Sequence, residues 1–137
     1  MPGEAEERLI LLVEDRVSSA AALEMVVGAI PAVCVRTFSN GLVAWRFLES
    51  GEGENVRAVL TDLDMPQLSG LELIQRMRSS VAHRATPVIV ISGTTESTAP
   101  ARALEAGANA FFAKPWSPGR VRATLEQLLY ERDGKRD

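Results

Sequence analysis

From residue 9 to about residue 131, short apolar runs alternate with segments whose apolar residues recur at helical spacing. Only a succession of strand and helix units satisfies that alternation, and strands joined by crossover helices pair in parallel. Five units can be read. Leu9–Val13 is the first strand, and Val17 to Ile30 follows as a helix, with Leu23, Val27 and Ile30 on one face and Pro31 as its stop. Ala32 to Arg36 is the second strand, suited to a sheet edge because Arg36 interrupts it; Ala44, Trp45 and Leu48 then mark a helix face closed by Gly51. Ala58–Thr61 is the third strand, and Gly70 precedes a helix with Leu71, Ile74 and Met77 or Arg78 inward. Pro87–Ile91, rich in β-branched residues, is expected to be a central strand covered on both faces. A helix over Ala99 to Ala106, with Pro100 near its start and Gly107 at its end, leads to a fifth strand at Ala110–Phe112. Ser117 and Pro118 read as N-cap and first residue of a last helix, with Val121, Leu125 and Leu128 inward.

The chain has 137 residues, 46% hydrophobic and 24% charged, which fits one globular domain rather than a disordered segment or two full-sized domains. The expected division is a polar, acidic tail over 1–7, a domain over 8–131 and a charged, frayed tail over 132–137. A net charge of -3 gives no electrostatic reason to expect nucleic acid or an anionic membrane as partner. No apolar run is long enough to span a membrane, and the N-terminal stretch lacks the basic-then-apolar order of a signal peptide. The single cysteine, Cys34, sits in an apolar run and is expected to be a reduced core residue, which together suggests a cytoplasmic location. His83, without a partner at metal-ligand spacing, is expected to be an exposed loop residue; Trp45 is expected in the core and Trp116 as an anchor for the last helix.

The polar residues that stand out all fall just beyond strands. In Val59-Leu60-Thr61-Asp62-Leu63-Asp64-Met65-Pro66 an apolar run ends in carboxylates and then a proline-containing turn. Glu14-Asp15 follows the first strand, Ser92 the fourth, and Lys114 the fifth. In an open parallel sheet, ligands bind beyond the carboxyl ends of the strands. Gathering Glu14, Asp15 and Asp62 there would cost roughly 4 kcal/mol per close pair at about 4 Å and an effective dielectric of about 20. Lys114 and a small hard cation with oxygen ligands, Mg²⁺ foremost, would offset that repulsion. A nucleophilic carboxylate, a metal, an ammonium and a hydroxyl are what phosphoryl transfer requires, because its catalysis is mostly positioning and charge neutralisation. Asp62 would attack, Glu14 and Asp15 would hold the metal, and Ser92 and Lys114 would each take a phosphoryl oxygen.

Glu14-Asp15, Asp62-Leu63-Asp64-Met65-Pro66-Gln67-Leu68-Ser69-Gly70, Ser92-Gly93 and Lys114-Pro115, in that order, resemble the motifs of a response-regulator receiver domain of bacterial two-component signalling. The resemblance covers roughly residues 8 to 131. It implies a flavodoxin-like (βα)5 doubly wound α/β sandwich with a five-stranded parallel sheet of order 2-1-3-4-5. It implies, too, that a histidine kinase or histidine phosphotransfer protein donates a phosphoryl group to Asp62, with the Asp64 backbone carbonyl completing a Mg²⁺ site that Mn²⁺ could also fill. Ser92 would shift towards the phosphate and Phe111 would turn inward, switching the face formed by the fourth helix, fifth strand and fifth helix. Lys114-Pro115 is a bond the family often holds in cis. Asp64 and Thr94 flank the phosphoryl position and are expected to set the phosphate's lifetime. Such a domain phosphorylates and dephosphorylates itself and is not a turnover enzyme; its expected partners are the kinase, a downstream protein target or output domain, and a phosphorylation-dependent homodimer. Two departures concern tuning: Ser69 stands where the family often has Asp, and Phe111 lacks the hydroxyl of the frequent Tyr.

Other readings are weaker. Asp62-Leu63-Asp64 also resembles the nucleophile and acid pair of a haloacid-dehalogenase-like phosphohydrolase, but that family carries the pair on its first strand. A flavodoxin-like cofactor binder would need a Gly- and hydroxyl-rich phosphate loop after the first strand, where Glu14-Asp15-Arg16 is expected to repel a phosphate. A phosphorylation-independent interaction module with the same fold is opposed by the intact acceptor set.

Overall fold

The computed structural model of the chain describes residues 7–135, and side chains through residue 132. Residues 1–6 and 136–137, which fall in the expected tails, lie outside the described residues. The elements follow in strict alternation: β1 (Arg8–Val13), α1 (Val17–Gly28), β2 (Val33–Phe38), α2 (Gly41–Glu49), β3 (Val56–Thr61), α3 (Gly70–Arg78), β4 (Val88–Ser92), α4 (Ala99–Ala106), β5 (Ala110–Ala113) and α5 (Pro118–Lys135). A 3₁₀ turn, Gly51–Asn55, joins α2 to β3. All strands are parallel, in the order β2-β1-β3-β4-β5. This is the doubly wound α/β fold expected, with β2 at one edge and the central β3 and β4 buried along most of their length, apolar apart from Arg57, Thr61 and Ser92.

Alternation along the strands divides the interior in two. Leu11, Val13, Val59, Val88 and Val90 point to one face, against Ala44 and Leu48 of α2, Leu73, Ile74 and Met77 of α3, and Ala99 and Ala103 of α4. Ile10, Leu12, Ala58, Leu60, Ile89 and Ile91 point to the other, against Leu23 and Val27 of α1 and Val121, Leu125 and Leu129 of α5. Leu129 therefore takes the inward place expected of Leu128, which is only partly buried. Trp45 packs on the first core and Trp116 on the second, each half-buried.

The starts of α2 and α3 are fixed by side-chain caps. The Asn40 Oδ1 accepts from the Leu42 and Val43 N–H groups at 2.7 and 3.3 Å. At α3, Ser69 Oγ accepts from the Glu72 N–H at 3.2 Å while the Ser69 N–H donates to Glu72 Oε1 at 3.0 Å, a reciprocal capping box. Those bonds from Ser69, backbone first, hold the Glu72 carboxyl below its usual range. Ser69 thus has a structural use at the position where the family often has Asp. The α5 helix runs on to Lys135, into the stretch expected as tail.

Two expectations are corrected. Cys34 is exposed, not a core residue: it lies on edge strand β2 and shares its face with Arg36, whose guanidinium stacks over Phe38 and Phe47. His83 is not an exposed loop residue; it is 1% exposed. Its Nε2 lies 2.8 Å from the Leu48 carbonyl, an acceptor only, so Nε2 carries the proton and Nδ1, 3.2 Å from Thr86 Oγ1, accepts. The ring ties the end of α2 to the connection before β4.

Candidate phosphoacceptor site

Register brings four strand ends to one rim. Val13 pairs with Thr61, Thr61 with Val90 and Ser92 with Ala113, so the next residues, Glu14, Asp62 and Lys114, converge beside Ser92. Bonds beyond the strands extend the ladder: Glu14 N–H to Phe38 O at 2.9 Å, Asp62 N–H to Val13 O at 3.1 Å, and Lys114 N–H to Ser92 O at 2.9 Å. The backbone, more than the side chains, positions the site.

Asp62 is 8% exposed and engaged on both oxygens. Its Oδ1 accepts from the Leu63 and Asp64 N–H groups at 2.6 and 3.2 Å, and its Oδ2 lies 3.2 Å from Lys114 Nζ. Lys114 also donates to Glu14 Oε1 at 2.9 Å, bridging two carboxylates of which Glu14 is 2% exposed. Glu14 Oε2 accepts from the Arg16 N–H at 3.1 Å. Burial alone would push the Lys114 ammonium down, but its hydrogen bond to Glu14 and the charge of Asp62 outweigh it and raise its pKa. One carboxylate oxygen from each of Glu14, Asp15 and Asp62 lies within 4.8 Å of the others, with Asp15 exposed at the mouth.

Over Asp62 lies a cleft of about 340 Å³ lined by Asp15, Arg16, Asp62, Asp64, Gly93, Thr94 and Lys114. Ser92 is fully buried at its edge, and its Oγ accepts from the Thr94 N–H at 3.1 Å. Phe111 is half-buried against the core shared with α4, and Asp64 is exposed. All the residues expected at the site are therefore gathered on this rim or next to it. Arg16, which sequence reading did not single out, joins them in the lining.

The loop after β3 is held tightly. A Cβ at Gly70 would meet the Asp62 carbonyl oxygen at 2.1 Å, and one at Gly41, at the start of α2, would meet the Leu68 carbonyl oxygen at 2.0 Å. Gln67 adopts φ 69°, in the left-handed region, inside a turn closed by the Leu68 N–H to Pro66 O bond at 2.8 Å. Such a three-residue turn is rare and strained for a residue with a side chain. The Lys114-Pro115 bond is cis.

A doubly wound α/β domain with acids, a hydroxyl and an ammonium at the carboxyl ends of its strands defines the class. The family profile described as the response regulator receiver domain matches residues 10–126, and the chain belongs to that family, the receiver domains of two-component systems. It is 31% identical over 90 residues to a chemotaxis protein CheY homolog of Campylobacter jejuni, covering 66% of this chain and 68% of that protein. It is 35% identical over 121 residues to the cyclic di-GMP phosphodiesterase response regulator RpfG of Xanthomonas campestris, covering 88% of this chain but 31% of that protein. Among solved structures, the receiver domain of sensor histidine kinase PA1611 from Pseudomonas aeruginosa superimposes with a TM-score of 0.76 at 25% identity, over 90% of this chain and 98% of that one. That structure carries a magnesium ion coordinated in its active-site cleft. The phosphohydrolase reading finds no support in this family membership.

Proposed function

We propose that Asp62 is the phosphoacceptor of this receiver domain and that phosphoryl transfer from a phosphohistidine on a kinase or phosphotransfer protein switches its protein contacts. The observation that carries the reading is the Lys114 ammonium bridging Glu14 and Asp62 beneath an open cleft. This ion pair faces a cleft of about 340 Å³, room enough for a phosphoryl group. As the phosphoryl bond to the donor breaks and one to a carboxylate oxygen of Asp62 forms, Lys114 can follow the charge from the carboxylate to a phosphoryl oxygen. The buried Ser92 hydroxyl, two residues from the cleft-lining Thr94, can turn towards another.

Glu14, Asp15 and Asp62 offer hard oxygen donors whose mutual approach suits a small divalent cation, and with the Asp64 carbonyl they would hold Mg²⁺, or Mn²⁺ in its place. When bound, the cation would neutralise charge on the transferring group. We further assign the switch to Ser92 and Phe111, because Phe111 packs on the core shared with α4 and can relay movement of the hydroxyl to that face. Asp64 and Thr94, at the cleft wall, would govern the lifetime of the aspartyl phosphate. The domain would form and lose its own phosphate without turnover of a separate substrate. The functional unit is taken as residues 8–131, acting in the cytoplasm; no described helix is long and apolar enough to cross a membrane.

Intact mass after incubation with acetyl phosphate and Mg²⁺ tests the assignment. Wild type should gain one phosphoryl mass, while Asp62→Asn and a chelated control should not. Decay of that species should change rate when Asp64 and Thr94 are both replaced by alanine. A folded wild type that gains nothing would overturn the phosphoacceptor reading in favour of a phosphorylation-independent interaction module.

A further inference from the structure

We propose that Arg16 is a donor-selecting residue: its guanidinium lies at the mouth of the acceptor cleft to take the oxyanions of the incoming phosphodonor, favouring donors of greater negative charge. The inference rests on the phosphoacceptor reading of Asp62. Of the residues lining the cleft, only Arg16 and Lys114 are cationic. Lys114 is already committed to Glu14 and Asp62 at 2.9 and 3.2 Å. Arg16 is not: its side chain is exposed and makes no hydrogen bond or ion pair among the described residues. Its backbone is nonetheless fixed, because the Arg16 N–H donates to the buried Glu14 Oε2 at 3.1 Å and the residue caps α1 in an extended conformation with φ -93° and ψ 122°. A fixed root with a free guanidinium is suited to meeting a ligand that arrives from solvent. The planar fork matches two oxygens of a phosphoryl group or its acyl neighbour.

Charge counting gives the size of the effect its sign. Glu14, Asp15, Asp62 and Asp64 bring four negative charges, and Lys114 and Arg16 two positive ones. A divalent cation takes the cleft from net minus two to neutral; without Arg16 it stays at minus one. A dianionic donor would then approach a repelling site, and a donor of lower net charge would be affected less.

Phosphorylation rates should therefore be compared for wild type, Arg16→Ala and Arg16→Lys, using acetyl phosphate and the less anionic phosphoramidate across a range of salt. Arg16→Ala should lower the second-order rate constant for acetyl phosphate about fivefold, the scale of one exposed ionic contact, and lower that for phosphoramidate less. The acetyl phosphate rate, nearly flat with salt in wild type, should rise with salt in Arg16→Ala as the new repulsion is screened, and Arg16→Lys, which restores the charge without the fork, should recover part of the loss. Affinity for beryllofluoride with Mg²⁺, read by isothermal titration calorimetry, should weaken in Arg16→Ala, giving a readout that needs no turnover. An unchanged ratio between the two donors in Arg16→Ala, in a variant that melts like wild type, would overturn the inference. A wild type that accepts neither donor would instead overturn the phosphoacceptor reading itself.

Discussion

Lys114 is one of two lysines in the chain, with Lys135, so its protonation can be followed separately. Its pKa is raised despite burial, by the Glu14 hydrogen bond and the Asp62 charge. A group whose folded pKa exceeds its unfolded value adds stability that is fully present below the unfolded value and lost as pH rises through the folded one. The bridge's contribution should therefore be whole from neutral pH up to about the ordinary lysine value near 10.4 and be lost as pH rises beyond it through the raised value of Lys114. In a side-chain titration by NMR, Lys114 should titrate above the ordinary lysine value, and Asp62→Asn should move it down. A Lys114 titration unmoved by Asp62→Asn would contradict the bridge. At this scale, the acids, hydroxyl and ammonium were legible because each sits at or just past the end of a strand. Arg16 was not, since it stands one residue past the acidic pair and its value depends on the cleft's lining. Cys34 and His83 were misread for a common reason. The exposure of one depends on where the sheet ends, and the burial of the other on a carbonyl 35 residues away in the chain.

Among the elements, α3 has the most to lose at its end. The Arg78 guanidinium donates to the Gly107 carbonyl from Nε at 3.0 Å and from Nη2 at 2.8 Å, to the His83 and Thr86 carbonyls from Nη1 at 3.0 and 2.8 Å, and to Asn109 Oδ1 at 3.2 Å. Burial pushes its pKa down, and neutral acceptors alone satisfy it. Asn109 Oδ1 in turn accepts from the Val88 N–H at 2.9 Å, so one side chain fastens α3 to the start of β4 and the end of α4. Replacing Arg78 by alanine strands several acceptors at once, and chemical denaturation should register a loss of about 2 to 4 kcal/mol. Phosphorylation of the folded variant should persist, because the brace is at the opposite end of the sheet from Asp62. Sequence could weigh Arg78 only as an alternative to Met77 on an inward face; Met77 is the buried one, and Arg78 does a separate job beside it. Boundaries were most legible where chemistry punctuates them, as at α4, bounded by Pro100 and Gly107. They were least so at β2, which extends through Phe38 because an edge strand tolerates polar residues.

For the molecule as a whole, the acidic rim is a standing electrostatic cost at one pole, and a net charge of -3 does nothing to relieve it. Millimolar Mg²⁺ should therefore raise the melting temperature, since a cation bound at one hundred times its Kd adds about 2.7 kcal/mol to the folded state. Asp15→Asn should abolish most of that shift while leaving the metal-free melting temperature equal or higher, because Asp15 is exposed and surrounded by like charge. An equal Mg²⁺ shift in the variant would remove Asp15 from the metal site. The alternation of five units made a parallel α/β sheet legible, its strand order came only from the resemblance of the four motifs to receiver domains, and the two-sided core needed only the period of the strands. The glycines that grip the acceptor loop, Gly41 from one helix and Gly70 from the next, bear on how such a chain can diverge. Surface loops ordinarily absorb insertions and deletions freely. This one is wedged between two backbones, so a change of length would dislodge both contacts at once, and its variation is confined to the identity of side chains within a fixed count of residues.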